Sequence, residues 1–317
     1  MAAERPACPV CLAPGTVFAL KALLHPGCER EIRECPACGA AFYQPMPGPE
    51  EISRCYPRAY FRGFFRQYWQ DHYKGRSLAS RLSAFRPKGR LLDVGCALGT
   101  LLAGVRDHSS WTVAGLELSD AAASMGRQLN GVEIFRSGLA GAPWPEASFD
   151  CVHANNVLEH DPDPAGAVRA AARLLNKGGR LLLTLPNGPV DLMVNRRLFA
   201  RHGALPTKHA GHLVFYSRRS LERLLERCGL KVLSARCFHF QLGLKARGWL
   251  PGGAKAVLRR PGEAPLEHPL SLDEGRGLIG PRPSWTAYLL RQRLRRLWRS
   301  GWSDLGYDLE VAAEKPQ

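Results

Sequence analysis

Between about residues 88 and 240, short apolar runs alternate with segments of helical character. Leu91–Val94, Thr112–Leu116, Val132–Phe135, Cys151–Ala154, Arg180–Leu185 and Lys231–Phe240 read as six strands. Between them the pattern predicts helices. One starts at Thr100, one follows the capping pair Ser119-Asp120, one runs from Ala165 to Leu175 and ends at Gly178-Gly179, and one spans Arg218–Cys228 behind the N-cap Ser217. Strand and helix in regular alternation predict an α/β fold with a doubly wound, mostly parallel sheet.

The flanks break this rhythm. Residues 1–50 carry few large apolar side chains, and Pro45, Pro47, Gly48 and Pro49 mark a boundary. From Glu50 to Phe85 aromatic and basic residues interleave with helical tendency, which fits an amphipathic cover over the main core and, as an alternative, base stacking. After residue 240 comes a stretch rich in Gly, Pro and Arg, and then a helix at about 284–299. Leu290, Leu294, Leu297 and Trp298 fall on one side of that helix, with Arg291, Arg295, Arg296 and Arg299 largely opposite. The expectation is that the leucine side packs on the domain. Trp285, Trp298 and Trp302 bracket the helix and keep open a peripheral contact with an anionic membrane face.

Composition adds two constraints. The net charge of +16 raises nucleic acid or an anionic surface as partners, but only nine of the 44 basic residues are lysine in a chain rich in Ala, Gly, Leu and Pro, so it is read as a solvated basic surface. The absence of a long apolar run and of a signal-like N-terminus gives the expectation of a cytoplasmic protein. In that compartment ten cysteines point to metal ligands or buried thiols. Cys8-Pro-Val-Cys11 and Cys35-Pro-Ala-Cys38 form two C-x-x-C knuckles, with Gly39 behind the second, as in a four-cysteine zinc ribbon that staples a segment too small for its own core. Cys28 is a bystander, and Cys55, Cys96, Cys151, Cys228 and Cys237 read as small buried residues.

The stretch Leu91–Thr100, LLDVGCALGT, is a strand, a glycine-bounded turn and a helix start, which suits a nucleotide-like ligand. A dinucleotide turn would need G-x-G-x-x-G; Ala97 stands at its second glycine, and Asp93 before the turn suits an ammonium group better than two phosphates. Glu117, at the tip of the second strand, is placed to accept both ribose hydroxyls.

These residues resemble the class I S-adenosylmethionine-dependent methyltransferases. LLDVGCALGT is similar to the first motif of that family, GLELS to its acidic ribose motif, SFDCVHANNVLEHDPDP to its fourth-strand motif and LLNKGGRLLLTLPN to its fifth-strand element. HLVFYSRRSLERLLERCGLKV is similar to the helix and sixth strand, and Leu305–Ala313 to the last strand. The resemblance implies a seven-stranded Rossmann-like sheet with a small N-terminal zinc ribbon (1–50), a methyltransferase domain (51–317) covered by helix at 50–87, and a basic insertion at 241–304 before the last strand. It implies S-adenosylmethionine held by Asp93, Gly95, Cys96, Ala97, Gly99, Glu117, Leu118, Leu139 and Asn155, and structural zinc on Cys8, Cys11, Cys35 and Cys38. Ser137-Gly138 stands where an acidic residue usually contacts adenine, which leaves Leu139 as the wall there.

Methyl transfer needs a nucleophile aligned with the methyl group and, for an alcohol, a route for its proton. His160, just beyond the fourth strand, is the candidate catalytic residue; Glu159, His209 and His212 stand behind it. The His209-x-x-His212 pair could ligate a metal, but no third ligand lies in sequence reach. The expected activity is methyl transfer to a small-molecule, glycan or lipid-linked acceptor, at oxygen. Two alternatives are RNA methylation gripped by the ribbon and insertion, and a non-catalytic module whose ribbon docks a partner protein. An Asn-Pro-Pro-aromatic tetrad of base-amine methylation is missing, since the fourth strand leads into Ala154-Asn155-Asn156-Val157.

Overall fold

A computed structural model describes residues 6–25, 28–54, 62–202, 211–250, 270–297 and 304–317. The chain begins with three strands, β1 (Val17–His25), β2 (Cys28–Glu34) and β3 (Ala41–Gln44), which form an antiparallel meander. Helices α1 (Pro49–Arg54), α2 (Arg62–Arg66) and α3 (Tyr68–Phe85) follow, where the sequence suggested one helical cover. The α/β unit then runs β4 (Arg90–Val94), α4 (Thr100–Arg106), β5 (Thr112–Glu117), α5 (Asp120–Asn130), β6 (Glu133–Arg136), β7 (Phe149–Asn155), α6 (Pro164–Leu174) and β8 (Leu175–Pro186). Beyond it come α7 (Gly188–His202), β9 (Val214–Phe215), α8 (Arg218–Arg227), β10 (Lys231–Phe238), α9 (Phe240–Ala246), α10 (Leu272–Gly277), α11 (Trp285–Leu297) and β11 (Asp308–Glu314).

The main sheet has seven strands in the order β10-β11-β8-β7-β4-β5-β6. β4 pairs in parallel with β5 on one side and β7 on the other, so the chain reverses its winding at β4 and leaves a crevice at the carboxyl ends of these strands. β11 is antiparallel to both β8 and β10. Leu91, Leu92, Val152, Leu181 and Leu183 are buried because both faces of these strands are covered. On one face α3 crosses α4 at van der Waals distance: a Cβ on Gly104 would lie 2.1 Å from the His72 carbonyl oxygen.

Two expectations are corrected at element ends. The helix after β7 stops at Leu174, and the chain enters β8 at Leu175, because Gly178 and Gly179 exchange backbone bonds with Lys315 at the end of the last strand: Gly178 N–H donates to the Lys315 carbonyl at 2.8 Å, and Lys315 N–H donates to the Gly179 carbonyl at 2.9 Å. Gly178-Gly179 therefore lies within the strand. The sixth strand ends at Phe238, since His239 takes a left-handed conformation (φ 57°) and starts α9.

The insertion also departs from its expected packing. Leu289 and Leu290 are exposed, and α11 docks instead through Trp285 and Tyr288, whose rings each lie 5.2 Å from Tyr73 on α3. Arg76 sits 4.1 Å over the Trp285 ring, so cation–π contact replaces the leucine seam at this end. Leu294, Leu297, Trp298, Trp302, Arg295, Arg296 and Arg299 lie outside the residues whose side chains are described. Leu270, Leu272, Leu278 and Ile279 pack around Phe65, Leu98 and Met125, which brings the insertion against the turn that follows β4.

The N-terminal meander is completed by a strand from far along the chain. Val214 and Phe215 of β9 add to β3 as a fourth strand, with Ala41 opposite Phe215 and Phe42 opposite Val214. Ser217 fastens the same junction: its hydroxyl donates to the Cys38 carbonyl at 2.8 Å and accepts from Ser220 N–H at 3.1 Å as the N-cap of α8. Arg223 Nη1 donates to the Ala37 carbonyl at 2.6 Å. Because Ser217 joins a cap to an inter-sheet bond, Ser217→Ala is expected to lower the unfolding free energy by about 1–2 kcal/mol. Ser119→Ala, which removes only the cap on Ala122, should cost less; urea denaturation of the two variants decides the order.

Candidate functional site

At the carboxyl end of β4, Gly95 and Gly99 have positive φ (67° and 65°), and Ala97 between them has φ 50°. The turn thus carries a left-handed alanine where a glycine would be unstrained. Its amide has a partner. Ala97 N–H donates to Glu117 Oε2 at 3.0 Å, while Ser119 N–H donates to Oε1 of the same carboxylate at 2.8 Å. Glu117 therefore joins the turn to the tip of β5, and burial holds its carboxyl above the usual carboxylate range. The amides of Gly95 and Cys96 both donate to the Leu116 carbonyl, at 2.8 and 3.0 Å. Cys96 is buried over Gly115, where an added Cβ would fall 2.4 Å from its sulfur.

Leu118 is 74% exposed beside this turn and faces Gly138, 3.6 Å from the position of an added Cβ there. Asn155, at the end of β7, is exposed as well. Leu139 lines an apolar cavity together with Val94, Ala154, Val157, Leu158 and Asp161. Asp93 is 5% exposed and acquires a partner that sequence reading did not assign: His153 Nδ1 lies 2.7 Å from its Oδ1, across the β4–β7 pairing. The crevice thus gathers Asp93, the turn, Glu117, Leu118, Leu139 and Asn155 along one sheet edge.

The chain leaves β7 through Asn156, left-handed at φ 55°, and Val157, which packs against Gly95 so closely that an added Cβ there would lie 2.7 Å from Val157 Cγ2. One turn later stand Glu159 and His160. Glu159 is 1% exposed, and neither carboxylate oxygen has a hydrogen-bond partner. Burial pushes its carboxyl up to about 7. His160 Nδ1 is bonded to the Gly211 carbonyl, and its Nε2 lies 3.7 Å from Glu159 Oε1. Burial lowers this imidazole to about 3, with the neighbouring His212 acting in the same direction.

His212 lies 5.0 Å from His160, ring to ring, and is bonded through Nδ1 to Asp191 Oδ2 at 2.7 Å. Burial works against its charged form, but the Asp191 carboxylate prevails and lifts it to about 9. One ligand atom each from Glu159, His160 and His212 lie within 4.8 Å of one another. This supplies the third ligand that the sequence did not offer to His212. His209 lies outside the described residues. Asp191 was missed by sequence reading although a signal existed: Asn187, just before α7, and Asp191 and Asn195 on it recur every fourth residue, and all three are buried.

At the N-terminus, one sulfur from each of Cys8, Cys11, Cys35 and Cys38 lies within 4.8 Å of the others. Cys8 and Cys38 are 3.8 Å apart and Cys11 and Cys35 3.6 Å. A tetrahedron with ligands at about 2.3 Å has edges of about 3.8 Å, so the four thiols fit a single tetrahedral cation. The Cys38 thiol beside it pulls Cys8 down to about 5, and Cys38 is pushed up in return. Cys96, Cys151, Cys228 and Cys237 are buried or half-buried, with burial raising each thiol.

Comparison with known proteins agrees with this arrangement. Residues 66–235, more than half of the 317-residue chain, match a family model described as a methyltransferase domain. A ubiquinone biosynthesis O-methyltransferase of Alkalilimnicola ehrlichii is 37% identical over 107 residues, which are 31% of this chain and 42% of that protein. One from Azoarcus sp. is 29% identical over 161 residues, 46% of this chain and 65% of that protein. A cycloartenol-C-24-methyltransferase of Arabidopsis thaliana is 32% identical over 100 residues, 29% of this chain and 30% of that protein. The chain thus spans less than two thirds of the length of each of these relatives.

The Glu117 clasp yields an expectation about stability that needs no ligand. Glu117→Ala leaves the amides of Ala97 and Ser119 without their acceptor and should lower the unfolding free energy by about 2 kcal/mol. Urea denaturation of the ligand-free chain measures it, and an unchanged midpoint would show that the clasp contributes nothing.

Proposed function

The chain belongs to the class I S-adenosylmethionine-dependent methyltransferases, and on that premise we propose that it transfers a methyl group from this cofactor to a small-molecule, glycan or lipid-linked acceptor, at oxygen. The observation that carries the reading is the clasp of Glu117 on the turn after β4, at the point where the sheet reverses its winding. A cofactor cradle there fits the residues present: two glycines without side chains in the turn, an acidic tip on β5 and an exposed Leu118 beside it. Asp93, Gly95, Cys96, Ala97, Gly99, Glu117, Leu118, Leu139 and Asn155 would hold the cofactor. When bound, S-adenosylmethionine supplies a methyl group on a positively charged sulfur, open to in-line displacement.

Glu159, His160 and His212 would form the acceptor end, one turn beyond the strand that carries Asn155. An imidazole lowered to about 3 is a poor base near neutral pH, so His160 is assigned contact with the acceptor rather than removal of its proton. Oxygen as the acceptor atom is supported by the ubiquinone biosynthesis O-methyltransferases among the relatives, and a small-molecule acceptor by these together with the cycloartenol-C-24-methyltransferase. Residues 1–50 serve as a ribbon stapled by structural zinc on Cys8, Cys11, Cys35 and Cys38, residues 51–317 as the methyltransferase domain, 50–87 as its helical cover and 241–304 as its insertion. No helix among the described residues is long and apolar enough to cross a membrane.

Isothermal titration with S-adenosylhomocysteine tests the cofactor: the zinc-loaded chain should bind it at one site, and Glu117→Ala should weaken binding at least tenfold; a folded chain that binds none overturns the proposal. Incubating cell extract with methyl-labelled cofactor and analysing it by mass spectrometry should then identify the acceptor. For the ribbon, Co2+ added to the metal-free chain should give the intense near-ultraviolet absorption of thiolate ligation, weakened in Cys38→Ser. A cobalt complex without that absorption would remove the four-cysteine site.

A further inference from the structure

Outside the ribbon, the one group of side chains among the described residues with the make-up of a metal site is Glu159, His160 and His212. Each imidazole is oriented by an acceptor on its Nδ1. The Gly211 carbonyl can only accept, so His160 carries its proton on Nδ1 and, when neutral, its lone pair on Nε2. His212 Nδ1 faces Asp191 Oδ2 at 2.7 Å, which likewise leaves Nε2 as the ligand atom. A carboxylate behind a histidine in this way is the outer-shell arrangement that sets the tautomer and orientation of a metal-bound imidazole.

Glu159 supplies the independent observation. Its carboxylate is 1% exposed with both oxygens lacking any hydrogen-bond donor, a costly state for an oxygen pair of this kind unless a positive group satisfies it. Asp191 Oδ1 is likewise buried without a donor. Neither imidazole satisfies Glu159 through a hydrogen bond: both its oxygens lack a donor, and His160 Nε2 stands at 3.7 Å, beyond hydrogen-bond reach. Two imidazoles and one carboxylate that converge within 4.8 Å and leave coordination positions open match a first-row divalent cation.

We propose that Glu159, His160 and His212 bind one divalent transition-metal cation, distinct from the four-cysteine site, with Asp191 orienting His212 behind it. The binding stands on this geometry alone. Its use rests on the methyl-transfer reading: the open positions would take an oxygen of the acceptor and fix it beside the cofactor cradle.

The probe is Mn2+, which thiolates bind poorly, added to the full zinc-loaded chain and followed by electron paramagnetic resonance. The wild type should bind one equivalent, with pulsed spectra showing coupling to imidazole nitrogen. His212→Ala and Glu159→Gln should each weaken binding at least 100-fold. Asp191→Asn, which leaves all three ligands in place, should weaken it about 10- to 100-fold. Thermal melting and S-adenosylhomocysteine titration of each variant report whether it is folded. A wild-type chain that binds no Mn2+ at millimolar concentration overturns the site, as does bound Mn2+ without nitrogen coupling or with unchanged affinity in folded His212→Ala. Mn2+ binding by a chain that binds no S-adenosylhomocysteine would uphold the site and remove the methyl-transfer reading.

Discussion

A single unit of the chain, Leu213, ties the ribbon sheet to the segment that follows β7. The amide of Leu213 donates to the Glu159 carbonyl at 2.7 Å, and its carbonyl accepts from the Tyr43 amide at 3.1 Å. On one side of this unit stands β3, which begins three residues after the second cysteine knuckle; on the other stands the segment that carries Glu159 and His160. His212 precedes it directly. The position of His212 against Glu159 therefore depends on the same backbone bonds that join ribbon to domain, with Tyr216 adding a hydroxyl bond to the Leu158 carbonyl at 3.3 Å. A four-cysteine staple placed at the N-terminus thus bears on a cluster far along the chain.

The two halves of the crevice solve opposite problems. At the turn after β4 nearly every backbone donor has an acceptor: Gly95 and Cys96 use Leu116, and Ala97 uses Glu117. That end is preorganised, and the strained φ of Ala97 is tolerated because the Glu117 bond helps to fix it. At the other end Glu159, Asp191 and Asn195 keep buried polar atoms without partners. Sites that must accept a ligand commonly hold such groups, since pairing them within the protein would leave nothing to recognise with. The insertion packs against the first half, because Leu98 of the turn lies with Phe65 under the segment that contains α10.

Most of the sheet was legible in the sequence. Buried parallel strands read as apolar runs, and capped helices announce their starts locally, so Leu91–Val94, Thr112–Leu116, Ser119 and Ser217 could be placed without three-dimensional information. The misplacements arose where distant pairing overrides local signals. Gly178-Gly179 looks like a helix stop but lies in β8 because the chain at the end of the last strand hydrogen-bonds to it, and Leu290 of α11 looks like part of a packing face although it is exposed and Trp285 and Tyr288 make the contact with α3.

By itself, then, the sequence determined the α/β class, the four-cysteine knuckles and the glycine-bounded turn after β4, since each depends on residues close together in the chain or on periodicity within one element. Only the tertiary structure decided that Val214 and Phe215 complete the ribbon sheet and that Asp93 pairs with His153. It alone also brought Asp191 and His212 to Glu159 and His160. These groups come from the end of β7, from α7 and from the approach to β9. No periodicity links those segments; their meeting is set by the register of strands and by the peptide bonds around Leu213.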